Sequence, residues 1–188
     1  MIIMIRGTSG SGKTWAMRSA MSDLEIDCPE PEKGMVEGRK KPLWYRYGTV
    51  FILGHYEATC GGCDNVGSAR KVYELWQKLM EKFDSPIIIC EGLLLSEDAK
   101  WTKEAKDNGW DPRVIYLNTD VEHCITQIKE RRKAAGNDKP LNEKNTRHRV
   151  NVIKRSRVRL EEMGVPCRGA SSGQVSGIVR RWIDSDRT

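Results

Sequence analysis

MIIMIRGTSGSGKTWAMRSAMS, residues 1–22, decides how the whole chain is read. Met1–Ile5 is a short, Ile-rich apolar run, long enough for a buried strand and too short for a helix. It leads directly into Gly7-Thr8-Ser9-Gly10-Ser11-Gly12-Lys13-Thr14, which satisfies G-x-x-x-x-G-K-[ST] at every fixed position. Met17, Ala20, Met21 and Leu24 then recur at helical spacing. Glycines let a chain curl without Cβ clashes, so several backbone N–H groups can converge on one anion. The following helix adds the positive end of its dipole. In such a strand–turn–helix unit Lys13 reaches the β- and γ-phosphates of a nucleoside triphosphate, and the Thr14 hydroxyl binds Mg²⁺. Gly7, Thr8, Ser9, Gly10, Ser11, Gly12, Lys13 and Thr14 are therefore the expected ATP-binding residues.

The rest of the chain must complete a fold around that unit. Its 188 residues suffice for one α/β domain with a substantial core and are too few for two. Net charge is +6 and the isoelectric point about 9.0, compatible with a polyanionic partner, although ATP-site cations account for part of the excess. No signal peptide or apolar run of membrane-spanning length is evident, and six scattered cysteines fit reduced thiols in a cytoplasm.

Residues 23–42, crowded with Asp, Glu, Pro, Gly and Lys, read as a loop with no packed element before Leu43. LWYRYG and TVFILGHYE are two β-prone runs around Gly48-Thr49, either a hairpin or a strand entering the sheet; together residues 23–50 form a variable insertion. Val72, Leu75, Trp76, Leu79 and Phe83 share one face of an amphipathic helix over 68–83. PIIICEG is an apolar strand ending at Glu91. A short helix over 99–108 and the strand RVIYLN follow. Thr119-Asp120-Val121-Glu122 has capping-box form and opens a helix over 121–135. A long helix over 145–163 stops at Gly164 and Pro166, and a short strand over 165–168, the loop GASSG and an amphipathic helix close the chain. This alternation predicts a single α/β domain over residues 1–188. Its architecture is a three-layer α/β/α P-loop kinase fold with a mainly parallel five-stranded sheet.

No base-reading N-K-x-D motif is present, which argues against a GTPase. Arg131 and Arg132 end a helix and are followed by a loop, so residues 131–146 resemble the lid of small nucleotide-kinase-like proteins. Phosphoryl transfer uses such positive charge, and exclusion of water, near the γ-phosphate. A carboxylate near that phosphate helps a kinase whose acceptor is an alcohol. Asp64, in a glycine-rich loop at a strand's C-terminal end, is the first candidate for this base. Glu91 is a candidate metal ligand alongside Thr14, or the alternative base. Asp64 as a helix cap near Ser68, and Glu91 as the partner of a lid arginine, are the structural alternatives. Cys60-Gly61-Gly62-Cys63 is a single C-x-x-C, weak support for zinc or redox chemistry. Its glycines more simply bring backbone close to an acceptor, with the cysteines packing beneath.

G-H-Y-x-x-x-C-G-G-C-D at 54–64 together with R-R-x-x-x-G-N-D-K-P-L-N-x-x-N-T at 131–146 resembles a bacteriophage family of P-loop kinases. Its members phosphorylate 5-hydroxymethyluracil in DNA on the way to thymidine hypermodification. The resemblance implies ATP and Mg²⁺, with a hydroxymethyl group on DNA as acceptor. Nucleotide-kinase-like folds also imply that Gly169, Ala170 and Ser171 border the adenine. DNA would account for the basic clusters Arg39-Lys40-Lys41 and Arg147, Arg149, Lys154, Arg155, Arg157 and Arg159, which are otherwise a solvated face. Tyr45, Tyr47 and Tyr56 are candidate stacking surfaces for an extruded base, or else core. Competing readings are a kinase for free nucleosides, nucleotides or polynucleotide ends, and a non-enzymatic ATP-dependent nucleic-acid binder.

Overall fold

The structure is a computed structural model and describes residues 1–36, 38–58, 61–137 and 139–186. In chain order its strands are β1 (Ile2–Arg6), β2 (Glu32–Gly34), β3 (Trp44–Tyr47), β4 (Val50–Leu53), β5 (Ile87–Glu91), β6 (Pro112–Leu117) and β7 (Cys167–Ala170). The helices are α1 (Lys13–Asp27), α2 (Ala69–Lys82), α3 (Leu93–Glu97), α4 (Lys100–Asp107), α5 (Val121–Ala134), α6 (Glu143–Glu162) and α7 (Val175–Asp186).

All strands join one sheet in the order β2-β3-β4-β5-β1-β6-β7. The parallel pairings run β4–β5–β1–β6–β7, and β3 and β2 extend one edge antiparallel. The sheet is therefore mixed and seven-stranded, which corrects the five-stranded expectation. The two runs around Gly48-Thr49 are both strands, β3 and β4, closing as a hairpin. The remaining strand, β2, comes from the segment expected to be a loop. Its sequence, Glu-Lys-Gly, carries no apolar alternation. Charged residues of this kind suit an edge strand held by backbone pairing. The same segment also begins with helix: α1 continues to Asp27 because Leu24 is buried, and it ends just before Pro29.

Helices cover both faces because β1 alternates its contacts. Ile3 and Ile5 join a cluster with Met17, Met21 and Leu24 of α1 and Val175, Ile178 and Ile183 of α7. Ile2 and Met4 join the opposite cluster with Val72 and Trp76 of α2, Leu95 of α3, Ala105 of α4 and Leu160 of α6. The amphipathic stripe Val72–Trp76–Leu79 packs as its spacing requires. Arg6, the last residue of β1, is wholly buried. Its guanidinium donates to the Asp98 carbonyl, the Thr102 hydroxyl and Ser156 Oγ of α6, tying the strand end to two helices.

Candidate active site

The turn after β1 has the geometry its glycines demand. Gly10 and Gly12 adopt φ of 78° and 94°, and a Cβ at Gly10 would overlap the Cys124 carbonyl of α5. The turn is held from outside: Gly7 N–H donates to Ser96 Oγ of α3 at 3.0 Å, and Thr119 Oγ1 donates to the Ser11 carbonyl at 2.8 Å. Asp120, not Thr119, caps α5, accepting from the N–H groups of Glu122 and His123. That corrects the capping-box reading and frees the Thr119 hydroxyl for the turn. Thr8 Oγ1 and Ser11 Oγ are buried with no hydrogen-bond partner among the described residues. Orphaned polar atoms inside an anion-shaped turn fit a bound polyphosphate.

Parallel pairing places Glu91 opposite Ile5, two residues before Gly7. The Thr14 hydroxyl donates to Glu91 Oε1 at 3.0 Å. Burial pushes the Glu91 carboxyl up to about 7, against the opposing pull of Lys13 and of the Thr14 hydroxyl. Lys13 is buried as well, and its Nζ donates to the Gly7 and Thr8 carbonyls at 2.9 and 3.0 Å. Burial lowers its pKa, and the nearby Glu91 and Asp64 carboxylates act in the opposite sense. Glu91 pairs with Thr14 rather than with a lid arginine, which settles that alternative.

The glycine loop closes over this carboxylate. Gly62 N–H donates to the His55 carbonyl, and a Cβ at Gly62 would overlap Glu91 Oε1. Asp64 Oδ1 accepts the Leu94 N–H at 3.2 Å, so Asp64 caps α3. It does not cap α2, where Ser68 accepts from Lys71 N–H itself. Cys63 is buried, and its thiol pKa is raised by hydrogen bonding with Cys90 and by burial. Such a thiol packs; a redox thiol needs the opposite shift. Cys60 lies outside the described residues, as does Asp138 of the Gly-Asn-Asp-Lys-Pro loop.

One cleft of about 1030 Å³ gathers these parts: Ser9, Gly10, Gly12, Lys13, Thr14, Gly61, Asp64, Glu91, Arg131 and Arg132 all line it. The Arg132 guanidinium is bonded to the Lys139 and Pro140 carbonyls at 3.2 and 3.3 Å. Arg131 and Arg132 also line a smaller adjoining cavity with Thr8, Ser9 and Arg149. Gly169 and Ala170 end strand β7, with Ala170 buried in the core, and the next residue but one, Ser172, approaches Gly12. Gln127 and Glu130 also line the cleft and were not singled out by sequence, although Gln127 stands i, i+3 to Glu130 and i, i+4 to Arg131 on the same helix.

Other expectations change. Tyr45, Tyr47 and Tyr56 are buried, with hydroxyls facing Glu57, Glu25 and the Leu53 carbonyl, so they are core and not stacking platforms. Much of the basic face of α6 is ion-paired: Arg147 with Glu122 and Glu143, Arg149 with Glu97 and Arg157 with Glu161.

No protein-family model matches the chain. The chain is 37% identical over 171 residues to a 5-hmdU DNA kinase of Pseudomonas phage PaMx11, covering 88% of this chain and 87% of that one. It belongs to the 5-hmdU DNA kinase family. More distant 5-hmdU DNA kinases occur in Delftia phage PhiW-14, at 27% identity over 77% of this chain and 58% of that one, and in Pseudomonas phage M6, at 26% over 82% of each. Lys13, Glu91 and Arg131, two cations and a carboxylate, line one cavity. Among the described residues no helix is long and apolar enough to cross a membrane.

Proposed function

We propose that the chain is a P-loop kinase that transfers the γ-phosphate of ATP to the hydroxymethyl group of 5-hydroxymethyluracil in DNA, in the host cytoplasm. The convergence of Lys13, Thr14, Asp64, Glu91 and Arg131 on one cleft carries this reading, together with membership of the family. Backbone N–H groups of residues 7–14 and the N-terminus of α1 cradle the phosphates. Thr14 and Glu91 would hold Mg²⁺, whose charge offsets that of the β- and γ-phosphates. Asp64 accepts the proton of the acceptor hydroxyl as its oxygen attacks the γ-phosphorus and the bond to the β-phosphate oxygen breaks, leaving ADP. Arg131 offsets charge on the transferring group. Residues 131–146 act as the lid that excludes water, with Arg132 fastening its loop. Gly169–Ser171 border the adenine.

The test offers γ-labelled ATP with hydroxymethyluracil-containing DNA, unmodified DNA and free nucleotides. Label on the modified DNA alone is expected. Label on unmodified DNA ends or on free nucleotides would replace the acceptor, and label on none of them would leave a nucleotide-dependent binder.

A further inference from the structure

Tyr45, Tyr47 and Tyr56 are 4%, 3% and 6% exposed, too little ring face for a base to stack on, so a DNA acceptor needs a different aromatic surface. The chain has six tryptophans, and five are engaged. Trp44, Trp76, Trp101 and Trp110 pack against other rings, and Trp182 lies beside Arg113. Trp15 is different: it is 57% exposed, and no ring stacks on it among the described residues. It also lines the cleft that holds Lys13, Asp64 and Glu91. An exposed indole on the wall of a cleft offers a rigid aromatic face to whatever binds there.

Its place in the fold restricts what it can contact. Trp15, in the first turn of α1, lines the cleft together with Asp64 and Glu91, the two carboxylates proposed for the transfer. The loop proposed to border the adenine reaches the turn at a different point, where Ser172 approaches Gly12. Along α1, Trp15, Arg18 and Ser22 follow i, i+3, i+7 spacing and form one stripe. Arg18 donates to the Tyr56 and Ala58 carbonyls, joining this stripe to the loop that carries Asp64. Beyond Trp15 the stripe continues into a groove of about 430 Å³, where Arg18, Ser22 and Lys33 stand with Glu25, Glu57 and the edges of the three largely buried tyrosines. An aromatic face beside cations and a general-base carboxylate suits a nucleobase on a phosphodiester strand.

We propose that the Trp15 indole is the stacking platform for the acceptor base, holding the pyrimidine so that its 5-hydroxymethyl group faces Asp64. This rests on the kinase reading above. Because stacking needs a free base face, the acceptor must be unpaired or flipped out of the duplex.

Trp15→Ala and Trp15→Phe test it, with single-stranded hydroxymethyluracil oligonucleotide as probe. Trp15→Ala should weaken oligonucleotide affinity without ATP, and raise KM for it, by about 5- to 150-fold. ATP affinity should stay within about twofold, and Trp15→Phe should recover most of the loss. The proposal is overturned if DNA affinity and KM stay within twofold in Trp15→Ala, if the loss falls on ATP instead, or if Phe does not rescue. Wild-type protein that fails to label DNA defeats the kinase reading; the platform is then judged by oligonucleotide affinity alone.

Discussion

Thr14 and Glu91 meet side chain to side chain, Oγ1 to Oε1 at 3.0 Å, although 76 residues separate them in the chain. The contact exists because β1 and β5 are parallel neighbours, so the turn leaving one faces the residue ending the other. In open parallel sheets this rim is where ligands bind, and here it carries a buried carboxylate beside a lysine.

Glu91→Gln separates the fold's interest in that carboxylate from its catalytic use. Its pKa is raised from 4.5 to about 7, so the folded state binds a proton that the unfolded state has lost over that interval. Stability from this group is therefore present below about pH 4.5 and is lost as pH rises toward 7, by on the order of 3 kcal/mol. Thermal unfolding of the nucleotide-free protein from pH 5 to 8 should show wild type losing more stability than Glu91→Gln. Phosphoryl transfer by the variant should fall by roughly 10²-fold or more.

Asp64→Asn keeps an oxygen able to accept the Leu94 N–H, so the cap on α3 survives. Phosphoryl transfer should fall by roughly 10²–10⁴-fold, while ATP binding and melting temperature hold. Single-turnover transfer near the wild-type rate would remove Asp64 from the mechanism.

Arg131→Ala and Arg132→Ala should differ. Both arginines line the two cavities beside the turn, and loss of Arg131 should lower kcat by roughly 10³-fold, the scale of an arginine contact to a transferring phosphoryl group. Arg132 is bonded to the loop carbonyls of Lys139 and Pro140, so its loss should mainly raise KM for ATP. Limited proteolysis should then cut within 135–142 faster in Arg132→Ala than in Arg131→Ala.

Gly62→Ala tests the loop's approach to Glu91. Gly62 has φ of 84° and ψ of −164°, a conformation open essentially to glycine alone. Denaturant unfolding should show a cost of about 1–3 kcal/mol. Because the added methyl overlaps Glu91 Oε1, turnover should also fall by at least about tenfold at temperatures where the variant is fully folded.

The anion turn, its strand and helix, and the arginine-bearing helix were legible because each is a local pattern. Gly10 and Gly12 hold positive φ as the motif requires, and α2 buries the stripe its spacing marks. Strand β2 was not legible: Glu-Lys-Gly has no side-chain pattern, and it is a strand only because β3 offers it backbone partners. The tyrosines of the hairpin could be platform or, as hairpin aromatics more often are, core; packing in one cluster with Met17, Met21 and Leu24 of α1 decides for core.

By itself the sequence determined a glycine turn between a buried strand and a helix, since glycine spacing acts through backbone geometry within a few residues. Only tertiary structure decided that Asp64 and Glu91 share its cleft, that Arg132 is bonded to its own loop, and that Trp15 rather than a tyrosine stands open at the mouth. Those facts depend on strand order and on which helix face is covered, and both are fixed by packing between segments far apart in the chain.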